Sequence, residues 1–233
     1  MICFVDYRIS NIERTSLESF GLSVVEVPPH NTLYKSINGH VDIQLNILDK
    51  KSKKVIIQKD ISSNFKKKLS NLDINFIEST RSLEYSYPNN IFLNALILEN
   101  YFIHNLKYSD ESLIRSQSSK KLINVKQGYT KCACLPVSEK SLITSDIGIY
   151  NTLINYNFDI LLLPPGDIIL EGLDYGFIGG SGGLIAKDKM AFFGNLNSYI
   201  YGEKVLNFLN KYGVSPIYLK DGKLQDRGSL LIL

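Results

Sequence analysis

Residues 42–79, "DIQLNILDKKSKKVIIQKDISSNFKKKLSNLDINFIES", set out a unit that the rest of the chain repeats. Two apolar runs flank a charged turn, and a polar stretch follows. Phe65, Leu69 and Leu72 then recur at spacings of four and three, the apolar stripe of a short helix. A last apolar run closes the segment. The order is strand, tight turn, strand, helix, strand.

Residues 132–166, "CACLPVSEKSLITSDIGIYNTLINYNFDILLLPPG", read the same way. Strand 132–137, a turn at Glu139–Lys140 and strand 141–144 lead to a helix with Ile147, Tyr150, Leu153 and Ile154 on one face, then strand 159–163. A third copy spans 182–219, with its turn at Lys187–Lys189, a stripe of Val205, Phe208, Leu209 and Tyr212, and a closing strand at 216–219. A fourth spans 92–125, with a shorter helix around 110–118. The fifth is split across the ends of the chain. "MICFVDY", "SNIERTSLESFG" and "LSVVEVPP" supply a second strand, a helix with capping-box spacing at Ser10 and Glu13, and a third strand. The first strand of that unit is "GSLLIL", 228–233. A repeat of this length signals a propeller or solenoid, and pairing the last strand with the first leaves no open junction. The expectation is one α/β domain over 1–233, with five ββαβ units around a pseudo-fivefold axis.

Composition bounds the partners. Hydrophobic residues at 44% and charged ones at 21% are ordinary for a globular protein, and a net charge of +3 does not mark a nucleic-acid binder. "KKSKK" and "KKK", at 50–54 and 66–68, read as a solvated hairpin tip and an outer helix face. The chain opens without a secretory pattern and has no apolar run near the roughly 20 residues that span a bilayer. Three cysteines, an odd number, suit a reducing cytoplasm. These readings place the protein in the cytoplasm, with no membrane or nucleic-acid partner; oligomeric state is left open.

His40 and Asp42 stand two apart at the start of an apolar run, where strand geometry puts both side chains on one face. Cys132 and Cys134 share a face by the same rule. Each pair also has a bland reading, a strand-end hydrogen bond for the first and small buried hydrophobes for the second. Lys126 and Lys131 near Cys132 would favour its thiolate. A His-x-Asp pair alone supplies two metal ligands at most, so neither metal nor cofactor is expected. "GFIGGSGG", 176–183, lacks the Lys-Ser/Thr of a phosphate loop; its glycines fit close backbone approach or room for a ligand. Asp6, Asp60, Asn105, Asp146 and Asn195 fall just after each second strand and read as helix N-caps, with Asp6 and Asp146 the best placed to face a central pore.

The repeat pattern resembles the pentein, or guanidine-modifying enzyme, fold. His40-Val41-Asp42 and Cys132 sharpen the likeness, since arginine deiminases, agmatine deiminases and dimethylarginine hydrolases carry a His-x-Asp at such a strand start and a nucleophilic cysteine. "INVKQGYTKC", "ITSDIGI", "DYGFIGGSGG" and "LQDRGS" further resemble an uncharacterised bacterial family of this fold. The likeness implies Cys132 as nucleophile, His40 as acid/base and Asp42 as a carboxylate gripping a guanidinium. Asn94, Lys126, Gln127, Asp146, Asp6, Gly180 and Ser229 complete the expected substrate-binding set. The enzymes carry their cysteine in a Gly-rich segment near the C-terminus, where this chain has Gly228 and Ser229. The implied activity is a Cys-dependent hydrolase or amidinotransferase of small cationic guanidines or amidines. The alternative is a non-catalytic pentein that binds a small ligand or a macromolecule.

Overall fold

Five three-stranded sheets make up the computed structural model, which describes residues 1–233. In chain order the elements are β1 (Ile2–Asp6), α1 (Asn11–Ser19), β2 (Ser23–Val27), α2 (Val41–Gln44), β3 (Leu45–Asp49), β4 (Lys54–Ile57), α3 (Ser63–Asn71) and β5 (Asn75–Glu78). There follow β6 (Leu96–Ile97), β7 (Tyr101–His104), α4 (Glu111–Ser116), β8 (Lys121–Asn124), α5 (Thr130–Ala133), β9 (Cys134–Ser138), β10 (Ser141–Thr144), α6 (Ile147–Leu153) and β11 (Asp159–Leu162). The last are β12 (Gly182–Ala186), β13 (Lys189–Phe192), α7 (Gly202–Lys211), β14 (Ser215–Tyr218) and β15 (Leu231–Ile232).

Every sheet follows one plan. A hairpin pairs the first strand antiparallel to the second, and a helical crossover brings the third parallel to the second. The split unit obeys it too: β15 lies antiparallel to β1, with Cys3 opposite Ile232, and β2 runs parallel to β1.

The middle strands explain the packing. Successive side chains on a strand point to opposite faces. Val55 and Ile57 of β4 join one apolar cluster with Phe4, while Ile56 joins another with Phe92 and Phe102. Ile103 of β7 faces Leu142 and Leu153, and Ile143 of β10 faces Met190 and Phe192. Ala191 and Phe193 face Cys3, Val5 and Leu17. Each of the five clusters is thus shared by two sheets, and each sheet serves two clusters. A middle strand buried on both faces must read as a continuous apolar run, as these do.

Local expectations are met unevenly. The Ser10–Glu13 capping box forms at α1. Asp146 caps α6, and Asn195 caps a short turn at Leu196–Ser198. Asp6, Asp60 and Asn105 cap nothing, because several residues separate each strand end from its helix. Ser10, Ser62 and Asp110 are the caps there. In α6 the buried pair is Ile149 and Leu153, while Ile147 and Ile154 are exposed, so the expected stripe is rotated. No helix is long and apolar enough to cross a membrane.

Candidate active site

The segments that enter the five first strands meet one another. His40 and Asp42 were expected on a strand; His40 instead precedes the single helical turn α2, which contains Asp42. Cys132 likewise sits in the turn α5, and β9 begins only at Cys134. The helical turns move both segments off strand geometry, so Cys132 and Cys134 part company. Cys134 joins the apolar core, where burial pushes its thiol up to about 12. Cys132 turns to the meeting point.

There its sulfur lies 3.1 and 3.0 Å from the two carboxylate oxygens of Asp42 and 3.3 Å from Asn94 Nδ2. Asn94 Oδ1 accepts from the backbone of Lys131 and Cys132 at 2.8 and 3.2 Å, fixing α5 to the entry of β6. Ser229, ahead of β15, donates to Asp42 Oδ2 at 2.6 Å and accepts from Lys131 Nζ at 2.9 Å. Its Oγ is also 2.8 Å from the carbonyl of Gly179, ahead of β12. All five entries are therefore bonded through one buried polar network. Ser229 holds φ +69° and Gly228 φ +65°, a left-handed pair that costs about 1–2 kcal/mol at the serine. A Cβ at Gly228 would overlap the His40 side chain, so glycine is required for the approach.

Electrostatics run against a resting thiolate. Burial pushes the Cys132 thiol well up, and the nearby Asp42 and Asp226 charges and the bond to Asp42 raise it further; Asn94 pulls the other way. Positive charge from Lys126 and Lys131 was expected to lower it. Lys126 is solvent-exposed, and the Lys131 ammonium is turned to Ser229. Burial also pushes Lys131 down, although Asp42 and Cys132 act to raise it.

Asp226, from "LQDRGS", completes the site and was not singled out from the sequence. Its carboxylate accepts the backbone N–H groups of Phe177 and Gly228 at 2.8 and 2.9 Å, and lies 3.7 Å from His40 Nε2. Gly180 allows this: a Cβ there would overlap that carboxylate. Burial raises the Asp226 carboxyl, His40 and the two backbone donors lower it, and Asp42 raises it. His40 is 1% exposed, and neither ring nitrogen has a hydrogen-bond partner. The only other sequence signal for Asp226 was its place two residues before Gly228.

His40, Cys132 and Asp226 line a cavity of about 300 Å³. Tyr34, Ile37, Tyr129, Leu173, Tyr175 and Phe177 form apolar and aromatic walls, and Asp174 stands at the exposed edge. No lysine or arginine lines it. The donor atoms of His40, Asp42 and Cys132 also lie within 4.8 Å of one another, one ligand more than the sequence pair offered to a metal.

The other expected contacts lie outside the cavity. Gln127 donates to Asp146 at 2.8 Å and accepts from the Tyr129 backbone, so this pair steadies the turn that carries Tyr129. Lys126 bonds only through its carbonyl, to Asn105. Asp6 binds Arg8, whose guanidinium reaches the carbonyls of Lys35 and Ser36 beside the cavity wall. Asn94, Gly180 and Ser229 shape the network without lining the cavity.

No curated protein sequence matches the chain. Solved structures do match it. The amidinotransferase SxtG from Microseira wollei, of a saxitoxin biosynthetic pathway, aligns with TM-score 0.57 at 11% identity, over 92% of this chain and 73% of its own. A dimethylarginine dimethylaminohydrolase variant, caught as an adduct with S-methyl-L-thiocitrulline, gives 0.54 at 10%, over 93% and 90%. An inosamine-phosphate amidinotransferase from Streptomyces griseus gives 0.51 at 10%, over 93% and 76%. Likeness at this identity shows the fold, which is the pentein fold of guanidine-modifying enzymes. The family model that matches covers residues 4–231, and the chain belongs to the Family of unknown function (DUF6873).

Proposed function

We propose that this protein is a cytoplasmic guanidine-modifying enzyme, a hydrolase or amidinotransferase built as one five-bladed pentein propeller, with Cys132 as its nucleophile. The observation that carries the reading is the convergence of Cys132, His40 and Asp226 on one cavity, with Asp42 against the sulfur. Two buried carboxylates face one buried lysine and one histidine. With the histidine neutral, the site has one negative charge in excess, and a guanidinium or amidinium cation balances it.

Binding of that cation relieves the charge that holds the thiol protonated. The Cys132 proton passes to neutral His40, and the thiolate attacks the central carbon. The carbon–nitrogen bond to the departing amine breaks as protonated His40 returns a proton to that nitrogen. Water, deprotonated by His40, or a second amine then attacks the thiouronium carbon and releases the thiol. Asp226 holds the guanidinium, and Asp42 governs the thiol.

The walls narrow the substrate. A cavity whose charged lining is Asp174 and Asp226 repels a carboxylate, and its aromatic walls accept a flat or aliphatic body. We assign a cationic head on an apolar body without an α-carboxylate.

The test is alkylation by 2-chloroacetamidine, a cation, against neutral 2-chloroacetamide, with the three cysteines resolved by peptide mass spectrometry. In both, the Cys132 sulfur displaces chloride. The reading expects Cys132 to prefer the amidine by at least tenfold and to lose that preference in Asp226→Asn. Equal slow labelling of all three cysteines would leave a non-catalytic binding protein.

A further inference from the structure

The first strands β3, β6, β9, β12 and β15 start beside Cys132 and run away from it. Along them lies a second cavity of about 710 Å³, more than twice the volume of the first at about 300 Å³. Each sheet contributes wall to it, through Leu48, Leu96, Val137, Leu184 and Leu231. Lys131, 7% exposed, lies at its inner end, where the strands begin.

Its charge has the opposite sign to that of the thiol cavity. Five lysines line it, Lys50, Lys51, Lys120, Lys131 and Lys187, against Asp49, Glu99 and Glu139. Two of the acids are already engaged by backbone N–H groups, Asp49 within its own loop and Glu139 by the neighbouring hairpin. Asp49 accepts from the backbone of Lys51 and Ser52, and Glu139 from that of Glu99 and Asn100 at 2.8 and 2.7 Å. The ammonium groups of Lys50, Lys51 and Lys187 make no ion pair or hydrogen bond within the protein. Lys50 is exposed, yet surrounding protein pushes it below the ordinary lysine value. An anion in the cavity would relieve that cost, and the leucine walls would take up an apolar body.

We propose that this second cavity binds a small organic anion with an apolar body. Its charge lies by the Lys50, Lys51 and Lys187 ammonium groups, and its body lies along the five first strands. The site is separate from the thiol cavity and needs no catalytic activity.

The experiment titrates 8-anilinonaphthalene-1-sulfonate, an anion with flat apolar rings, into the whole chain and follows its fluorescence. The expected result is saturable binding of one equivalent, weakened at least tenfold in the triple variant Lys50→Ala, Lys51→Ala, Lys187→Ala. These residues lie on exposed hairpin tips, so the variant should fold, and its melting curve checks that. Lys67→Ala, on the outer face of α3, should bind as the wild type does. Excess benzamidine, a cation suited to the acidic cavity, should leave the probe in place. An unchanged affinity in the triple variant, several weak equivalents, or displacement by benzamidine would each overturn the proposal.

Discussion

Asp42 presents both carboxylate oxygens to the Cys132 sulfur, at 3.1 and 3.0 Å, with Ser229 donating to the same carboxylate at 2.6 Å. A thiol in that position donates its proton to an anion and has little reason to part with it. The resting state is therefore a protonated cysteine beneath a cation-shaped cavity.

The first prediction concerns that pair. Asp42→Asn removes a buried charge that raises the thiol, so Cys132 should ionise at lower pH. A buried neighbouring charge is worth one to three pKa units. Alkylation by neutral iodoacetamide at pH 8 should then rise about tenfold or more. Asn94→Leu removes the bond that favours the thiolate, and the rate should fall. Rates that move the other way would mean that Asp42 does not control the sulfur.

Asp226 is predicted to hold the substrate cation. Benzamidine should protect Cys132 from iodoacetamide in the wild type. In Asp226→Asn the protecting concentration should rise about tenfold, the scale of one charge-assisted bond. Protection unchanged in this variant would assign the cation to Asp42 alone. Free arginine should protect poorly in both proteins, since its carboxylate meets Asp174 and Asp226.

The glycines beside the site separate position from stability. Gly180→Ala drives a methyl group into the Asp226 carboxylate, and Gly228→Ala drives one into His40 at a backbone angle that disfavours alanine. Both should lose benzamidine protection. Gly228→Ala should in addition lower stability by about 1–3 kcal/mol, the range for a strained residue. Calorimetry beside the protection assay distinguishes the two effects.

His104 sets the acid limit. It is fully buried, and its Nε2–H donates to the Gly128 carbonyl at 2.9 Å. Burial lowers its pKa to about 4, outweighing the backbone bonds that raise it. Above pH 6.5 both folded and unfolded chains are neutral there and stability is whole. Below it the unfolded chain takes up a proton that the fold refuses, so stability falls until pH reaches about 4. The loss by pH 5 is about 2 kcal/mol. Urea unfolding should show it, and His104→Gln should flatten the slope between pH 7 and 5.

The five units were legible because their cause is local. A middle strand buried on both faces must be apolar throughout, as Val55-Ile56-Ile57 and Met190-Ala191-Phe192 are, and polar turns and short amphipathic helices must punctuate it. The caps were less legible. Asp6 and Asn105 sit where a cap would follow directly, but the loop length between strand and helix is not written in residue type. The helical turns at Val41–Gln44 and Thr130–Ala133 are not legible because four residues are too few to show a helical period, and Val41-Asp42-Ile43-Gln44 alternates apolar and polar as a strand does.

By itself the sequence determined the repeat, the split fifth unit and the reactive candidates His40, Asp42 and Cys132, because periodicity and residue chemistry are carried along the chain. Only the tertiary structure decided what those candidates face. It brought Asp226 from 186 positions beyond His40 to within 3.7 Å of the ring, and Ser229 to within hydrogen-bonding reach of Asp42. It also tied the Lys131 ammonium to Ser229. A pKa, a charge balance and a cavity are sums over neighbours in space, and those neighbours come from all five units at once.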